Sequence, residues 1–130
     1  MSATPFTLTT RDNLTLRGSK HVVDRPRGVV CLIHGLGEHR QRYVHVIEAF
    51  NQRGLSFYAM DLRGHGQSDG PRGHTPGYRY LLDDIDLLVE LAEKENPELP
   101  LVLYGHSMGG NLALNYLLLR DSADFAGGLI

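Results

Sequence analysis

Three short stretches of this 130-residue chain are almost continuously apolar, and helix-patterned segments lie between them. They are Gly28 to Ile33, Leu55 to Met60 and Leu101 to Tyr104. A strand with one wet face alternates polar and apolar residues, so an unbroken apolar run predicts a strand buried on both faces. After the first run, Tyr43, Val46, Ile47 and Phe50 fall at helical spacing, and Gly54 stands where a helix C-cap glycine belongs. After the second, Leu81, Leu82, Ile85, Leu88, Val89 and Ala92 form a stripe widened by Leu87 and Leu91. Asp83, Asp86, Glu90 and Glu93 occupy the opposite side, and Pro97 and Pro100 end the helix. After the third, Met108 to Arg120 is helical and apolar nearly all round, and Phe125 to Ile130 reads as a fourth apolar strand. This alternation predicts an α/β fold with a mostly parallel sheet and helices on both faces.

The front of the chain reads differently. Phe6 to Thr10 and Leu14 to Gly18 are short polar-alternating strands around the turn Arg11-Asp12-Asn13, which suits an antiparallel edge. Arg25 to Gly28 is a turn, His34 to His39 a glycine loop, and Arg63 to Gly77 a long loop rich in Gly and Pro. Internal repeats and low-complexity tracts are absent. With 13 Lys and Arg against 15 Asp and Glu, and no basic run, the chain has no electrostatic footprint for nucleic acid. The first residues lack the basic and apolar regions of a signal peptide, and no apolar run approaches a transmembrane span. The one cysteine, Cys31, excludes an intrachain disulfide and fits a reducing compartment. The expected setting is therefore soluble and cytoplasmic, and the length by itself is that of one domain.

Ligands of such sheets bind beyond the carboxyl ends of the strands, so chemistry belongs in the strand-to-helix loops. The third buried strand runs directly into Gly105-His106-Ser107-Met108-Gly109, a G-x-S-x-G, and an apolar helix follows at once. In that setting the motif reads as a nucleophile elbow. The turn is so sharp that side chains at 105 and 109 would strike backbone, and the strain holds Ser107 Oγ at an exposed apex. The helix N-terminus behind it favours developing negative charge. A glycine-rich turn with a capping serine is the plainer alternative.

Acyl transfer also needs hydrogen-bond donors for an oxyanion. The Met108 N–H, next after the serine, is the first candidate. The second is the Leu36 N–H, in the loop after the first buried strand, where Gly35 and Gly37 allow close backbone approach. A plain tight turn is the alternative there.

Three segments, His34-Gly-Leu-Gly-Glu-His39 followed by Arg42-Tyr43, Asp61-Leu-Arg-Gly-His-Gly-Gln-Ser-Asp-Gly70 and Gly105-His-Ser-Met-Gly-Gly110, carry a resemblance. In type, order and spacing they are similar to the monoacylglycerol lipase and lysophospholipase-like branch of the α/β-hydrolases. The resemblance implies that Ser107 is the nucleophile and that the Leu36 and Met108 N–H groups form the oxyanion hole. It also implies a serine esterase or lipase that cleaves a small acyl ester, of monoacylglycerol or lysophospholipid type, through an acyl-enzyme. Neither metal nor organic cofactor is implied.

The seven histidines receive modest roles. His34 and His39 flank the oxyanion loop and shape it, supported by Gly35, Gly37, Gly105 and Gly109. His65, with Asp61, Arg63 and Ser68, reads as hydrogen-bond scaffolding of the long loop rather than as a metal site. His74 belongs to a surface loop, and His21 and His45 to surface or edge positions. His106 precedes the serine, and its side chain is expected to point away from Ser107 Oγ. The acidic run from Asp83 to Glu98 reads as a solvated helix face.

In this family the triad runs Ser, then acid, then His. No histidine follows Ser107, and Asp121 and Asp124, the acids that do, come too early. Residues 1–130 are therefore expected to be the N-terminal part of a single α/β-hydrolase domain, cut after the strand that follows the nucleophile helix, with lid, acid and base lying beyond. The chain alone is then expected to be inactive, because a serine without a base is an ordinary hydroxyl. The alternative is a non-catalytic fragment, or one half of a split hydrolase completed by another chain at the open sheet edge.

Overall fold

The computed structural model describes residues 3–120 and 125–130. Among them, six strands form one sheet: β1 (Thr4–Thr9), β2 (Thr15–His21), β3 (Gly28–Ile33), β4 (Leu55–Met60), β5 (Leu101–Gly105) and β6 (Phe125–Leu129). Three α-helices alternate with them: α1 (Val44–Gln52), entered through a 3-10 turn over Arg40–Tyr43, α2 (Tyr78–Glu95) and α3 (Met108–Leu119). The strand order is β1-β2-β4-β3-β5-β6. β1 and β2 are antiparallel to their neighbours, whereas β4, β3, β5 and β6 run parallel.

β3 has the unbroken apolar sequence because it is central and wrapped on both faces. Val29, Cys31 and Ile33 enter the core beneath α2 and α3. Val30 and Leu32 enter a second core with Tyr43, Ile47, Phe57 and Ala59 beneath α1. β4 divides the same way, with Tyr58 and Met60 on the first side. The predicted α2 stripe, Leu81, Leu82, Ile85, Leu88, Val89 and Ala92, is wholly buried. Gly54 closes α1 at φ +80°, a left-handed conformation that costs glycine little, and its N–H caps Asn51 O at 3.0 Å.

β6 forms the expected open edge: among the described residues it pairs with β5 on one side only, Ala126 to Ile130 are exposed, and Phe125 packs against Tyr116. No described strand occupies its other side, so its apolar residues stay at a sheet edge. Similarly, α3 buries Leu112, Ala113 and Tyr116 but leaves Leu114, Leu118 and Leu119 exposed.

The acidic face of α2 is not uniformly solvated either. Asp84 lies three residues after Leu81 and four before Leu88, within the apolar stripe, and is fully buried. Its carboxylate makes a bidentate pair with Arg63, 2.6 Å from Nε and 2.8 Å from Nη2. Asp12 takes the other edge of the guanidinium at 2.7 and 3.0 Å. These bonds, from Asp84 first, push the Arg63 pKa above its ordinary value against the effect of burial. Asp83 and Asp86 pair with Arg120, and Glu95 with Lys20. The loop between β4 and α2 is thereby pinned to both the N-terminal hairpin and the helix.

Candidate active site

Only His106 and Ser107 separate the end of β5 from the start of α3. Ser107 is forced to φ 57° and ψ −117°, a sparsely populated region for a residue with a Cβ. The close approach of backbone explains both glycines of the motif. A Cβ on Gly105 would lie 2.2 Å from Gly109 O, and one on Gly109 only 1.9 Å from Ile33 O. His106 N–H donates to Ile33 O at 3.2 Å, which ties the elbow to the end of β3. Asn111 N–H donates to Ser107 O at 3.1 Å and begins the helix. Ser107 is left exposed at the apex.

The loop after β3 lies directly against this turn. A Cβ on Gly35 would sit 3.1 Å from His106 O and 3.3 Å from Ser107 Cβ. Behind it, His34 is completely buried, its Nε2 accepting Leu62 N–H at 2.9 Å. An acceptor at Nε2 places the ring proton on Nδ1, which donates to Gly35 O at 2.8 Å. Burial holds the His34 pKa below its ordinary value, so the neutral ring persists. A trans peptide is planar, with its C=O and N–H pointing in opposite directions. By holding Gly35 C=O, His34 therefore turns the Leu36 N–H the other way. Gly37 follows at φ +76° in the same turn. Among the described residues, neither Leu36 N–H nor Met108 N–H is engaged by a protein acceptor. The exposed Leu36 side chain borders an open cleft of about 380 Å³, shared with His39, His65 and Arg72.

Glu38 was not singled out from the sequence, and it proves central to the loop. Its Oε2 accepts Gly35 N–H at 2.5 Å and Tyr43 OH at 2.6 Å, and lies 3.3 Å from His106 Nδ1. Burial raises the carboxyl pKa, but the donors from Tyr43, Gly35 and His106 outweigh it and hold the group below its ordinary value. The available signal was a glutamate three residues after a loop glycine, a spacing at which a carboxylate reaches back to a backbone N–H.

His65 takes the scaffolding role expected, bonding Arg63 O through Nδ1 at 3.0 Å and packing on the His34 ring at 5.2 Å. Its Nε2 is buried with no partner among the described residues. Asp61 pairs with Arg40 and accepts Gln67 N–H at 2.9 Å, while Ser68 Oγ donates to Asp61 O at 2.6 Å. Asp69 is engaged by Arg17 rather than placed toward Asp61 or His65. No group of three metal-ligating side chains gathers among the described residues. The His106 side chain reaches toward Glu38, and no described histidine hydrogen-bonds Ser107. His74 and His45 are exposed, and His21 is half-buried beside Ser19. Asp121 and Asp124 lie outside the described residues. No described helix is long and apolar enough to cross a membrane.

Similarity to known proteins agrees with this geometry. Residues 24–130 match the family model Hydrolase_4, described as serine aminopeptidase, S33. The chain is 46% identical over 91 residues to the monoacylglycerol lipase of Mycolicibacterium smegmatis, covering 70% of this chain and 32% of that protein. To the monoglyceride lipase of Rattus norvegicus it is 34% identical over 89 residues, covering 68% and 29%. Among solved structures, the thermostable carboxyl esterase from Bacillus coagulans superposes with TM-score 0.88 at 28% identity, over 98% of this chain and 43% of that one. A soluble variant of the monoglyceride lipase from Saccharomyces cerevisiae gives TM-score 0.85 at 27% identity, with the same coverage of 98% and 43%. The chain thus spans about a third of these curated relatives and under half of these solved chains. With a strained serine between two crowded glycines, in a sheet of this order, the chain belongs to the Hydrolase_4 family and has the α/β-hydrolase fold, in the branch that includes the monoacylglycerol lipases.

Proposed function

We propose that the protein carrying this chain hydrolyses small acyl esters, of monoacylglycerol or lysophospholipid type, through an acyl-enzyme on Ser107. The observation that supports this reading best is the contact between the strained Ser107 turn and the Gly35–Leu36 backbone. Ser107 Oγ attacks the ester carbonyl, a new C–O bond forms, and negative charge moves to the carbonyl oxygen. Leu36 N–H and Met108 N–H face that charge as preorganised donors, and the start of α3 adds its dipole. Collapse of the intermediate breaks the bond to the alcohol, which leaves with a proton, and water then cleaves the acyl-serine by the same path. No metal or organic cofactor enters these steps.

The proton of Ser107 must pass to a base, and none of the seven histidines bonds the hydroxyl among the described residues. We assign base and orienting acid to polypeptide outside these 130 residues. A second reading supplies them from a separate chain docked along β6. Cytoplasmic placement goes with either version.

The test is labelling by a fluorophosphonate probe. The 130-residue chain alone is expected to label negligibly, since oxyanion donors without a base retain only residual catalysis. The full-length protein is expected to label and to cleave a monoacylglycerol, with both lost in Ser107→Ala. Brisk labelling of the short chain, lost in the same variant, would show that one of its own histidines serves as base. Retained esterase activity in full-length Ser107→Ala would remove the serine from the mechanism. Labelling of the short chain that appears only on adding a second polypeptide would select the split form.

A further inference from the structure

One carboxylate oxygen stands where the two halves of the candidate site meet. Glu38 Oε2 gathers Gly35 N–H from the oxyanion loop, Tyr43 OH from the turn that enters α1, and His106 Nδ1 from the residue before Ser107. These three groups come from three separate pieces of backbone, and the side chain that joins them is largely enclosed, at 11% exposure. Glu38 N–H also returns to Gly35 O at 3.4 Å.

From this geometry we infer that Glu38 is a positioning residue for ester cleavage: it clasps the Gly35–Leu36 backbone to the Ser107 turn and so keeps the Leu36 N–H on the oxyanion. The inference rests on the reading of Ser107 as nucleophile. Gly35 has no side chain to anchor it, and glycine is the residue whose backbone rotates most freely. Two peptide planes meet at its Cα. His34 holds the plane that follows, through Gly35 O, and Glu38 holds the plane that precedes, through Gly35 N–H. With both planes held, neither φ nor ψ of Gly35 can relax. Removal of the Glu38 acceptor frees the first plane, and the loop loses its registration on the serine. Tyr43 contributes by fixing the carboxylate: its ring is buried in the core beneath α1, and its hydroxyl meets the same oxygen. The acceptor is what matters, since the donors to it are a backbone N–H, a phenol and an imidazole.

A role of this kind acts on charge that develops in the transition state, so it lowers kcat and leaves KM nearly unchanged. In the full-length protein, Glu38→Ala is expected to reduce kcat for a short-chain monoacylglycerol by about ten- to a hundredfold, with KM within about twofold. Glu38→Gln keeps an acceptor oxygen and is expected to recover kcat to within about threefold of the parent. Tyr43→Phe keeps the buried ring and is expected to lower kcat by about fivefold with only a small fall in melting temperature, which serves the test if the alanine variant does not fold. A Glu38→Ala enzyme with kcat within twofold of the parent, a loss carried by KM, or a glutamine variant no better than alanine would each overturn the clasp, as would an unchanged Tyr43→Phe. Ser107→Ala is measured alongside. Activity surviving in that variant refutes the nucleophile reading, whereas an inactive Ser107→Ala beside an unimpaired Glu38→Ala refutes the clasp alone.

Discussion

Gly35→Ala separates the needs of catalysis from those of stability. Gly35 does not adopt a positive φ, so an alanine there is not strained in its backbone, and only space is at issue. The added Cβ would meet Glu38 Oε2 at 3.0 Å, His106 O at 3.1 Å and Ser107 Cβ at 3.3 Å. Ordinary contact begins near 3.4 Å, so the loop and the elbow must part by a few tenths of an ångström. Overpacking of that size costs about 1 kcal/mol, the lower end for an inserted methyl group, and lowers the melting temperature by about 3 °C. Catalysis is far less tolerant. A misplacement of about 1 Å can cost a hundredfold, so a few tenths at the oxyanion donors is expected to cost about tenfold in kcat. Steady-state kinetics on the full-length enzyme, paired with thermal melting, read both numbers. Gly109→Ala is the contrast: its Cβ would fall 1.9 Å from Ile33 O, backbone against backbone, and a loss of about 3 kcal/mol or more is expected. A Gly35→Ala enzyme that melts like the parent and keeps kcat within twofold would refute the claim that the loop is packed against the serine.

Breaking the buried pair through Asp84→Ala is expected to destabilise by about 3 kcal/mol, the lower end for such a loss because Asp12 still holds one edge of Arg63. Urea midpoints measure it, and the double variant Arg63→Met with Asp84→Leu should recover most of the loss; a single-variant effect below about 1 kcal/mol would contradict the pairing. In acid, the carboxyls of Asp12 and Glu95 lie below their ordinary values. Bonds from Arg63 lead at Asp12, and at Glu95 those from Lys20 and Tyr58 overcome the opposing effect of burial. Their stabilisation is complete above the unfolded carboxylate range and is lost as pH falls through the depressed folded values, so melting temperature should drop below about pH 4. Asp12→Asn should flatten that acid limb, and an unaltered limb would exclude Asp12 as a contributor.

Element order was legible because burial leaves its period in the residues. Gly28 to Ile33 and Leu55 to Met60 read as doubly buried strands and are that, since β3 and β4 send alternate side chains into two cores. The elbow was legible because crowding at 105 and 109 admits only glycine, a steric demand that stays local in the chain. Asp84 was misread, although its place between Leu81 and Leu88 marked it for burial, because its partner Arg63 lies 21 residues away across a loop. Glu38 and its three donors were equally out of reach: Tyr43 is near in sequence, but His106 is 68 positions distant and arrives only when β5 pairs with β3.

By itself the sequence therefore determined the alternation of strands and helices, the serine turn and the glycine loop after β3, because periodicity and steric exclusion act over a few residues. Only the tertiary structure decided that His34 aims the Leu36 peptide through Leu62, that Glu38 joins the loop to the elbow, and that Asp84 is buried against Arg63. Those are hydrogen bonds and ion pairs between distant segments, with energies that depend on distances of a few tenths of an ångström, and such distances exist only once the sheet has brought its loops together.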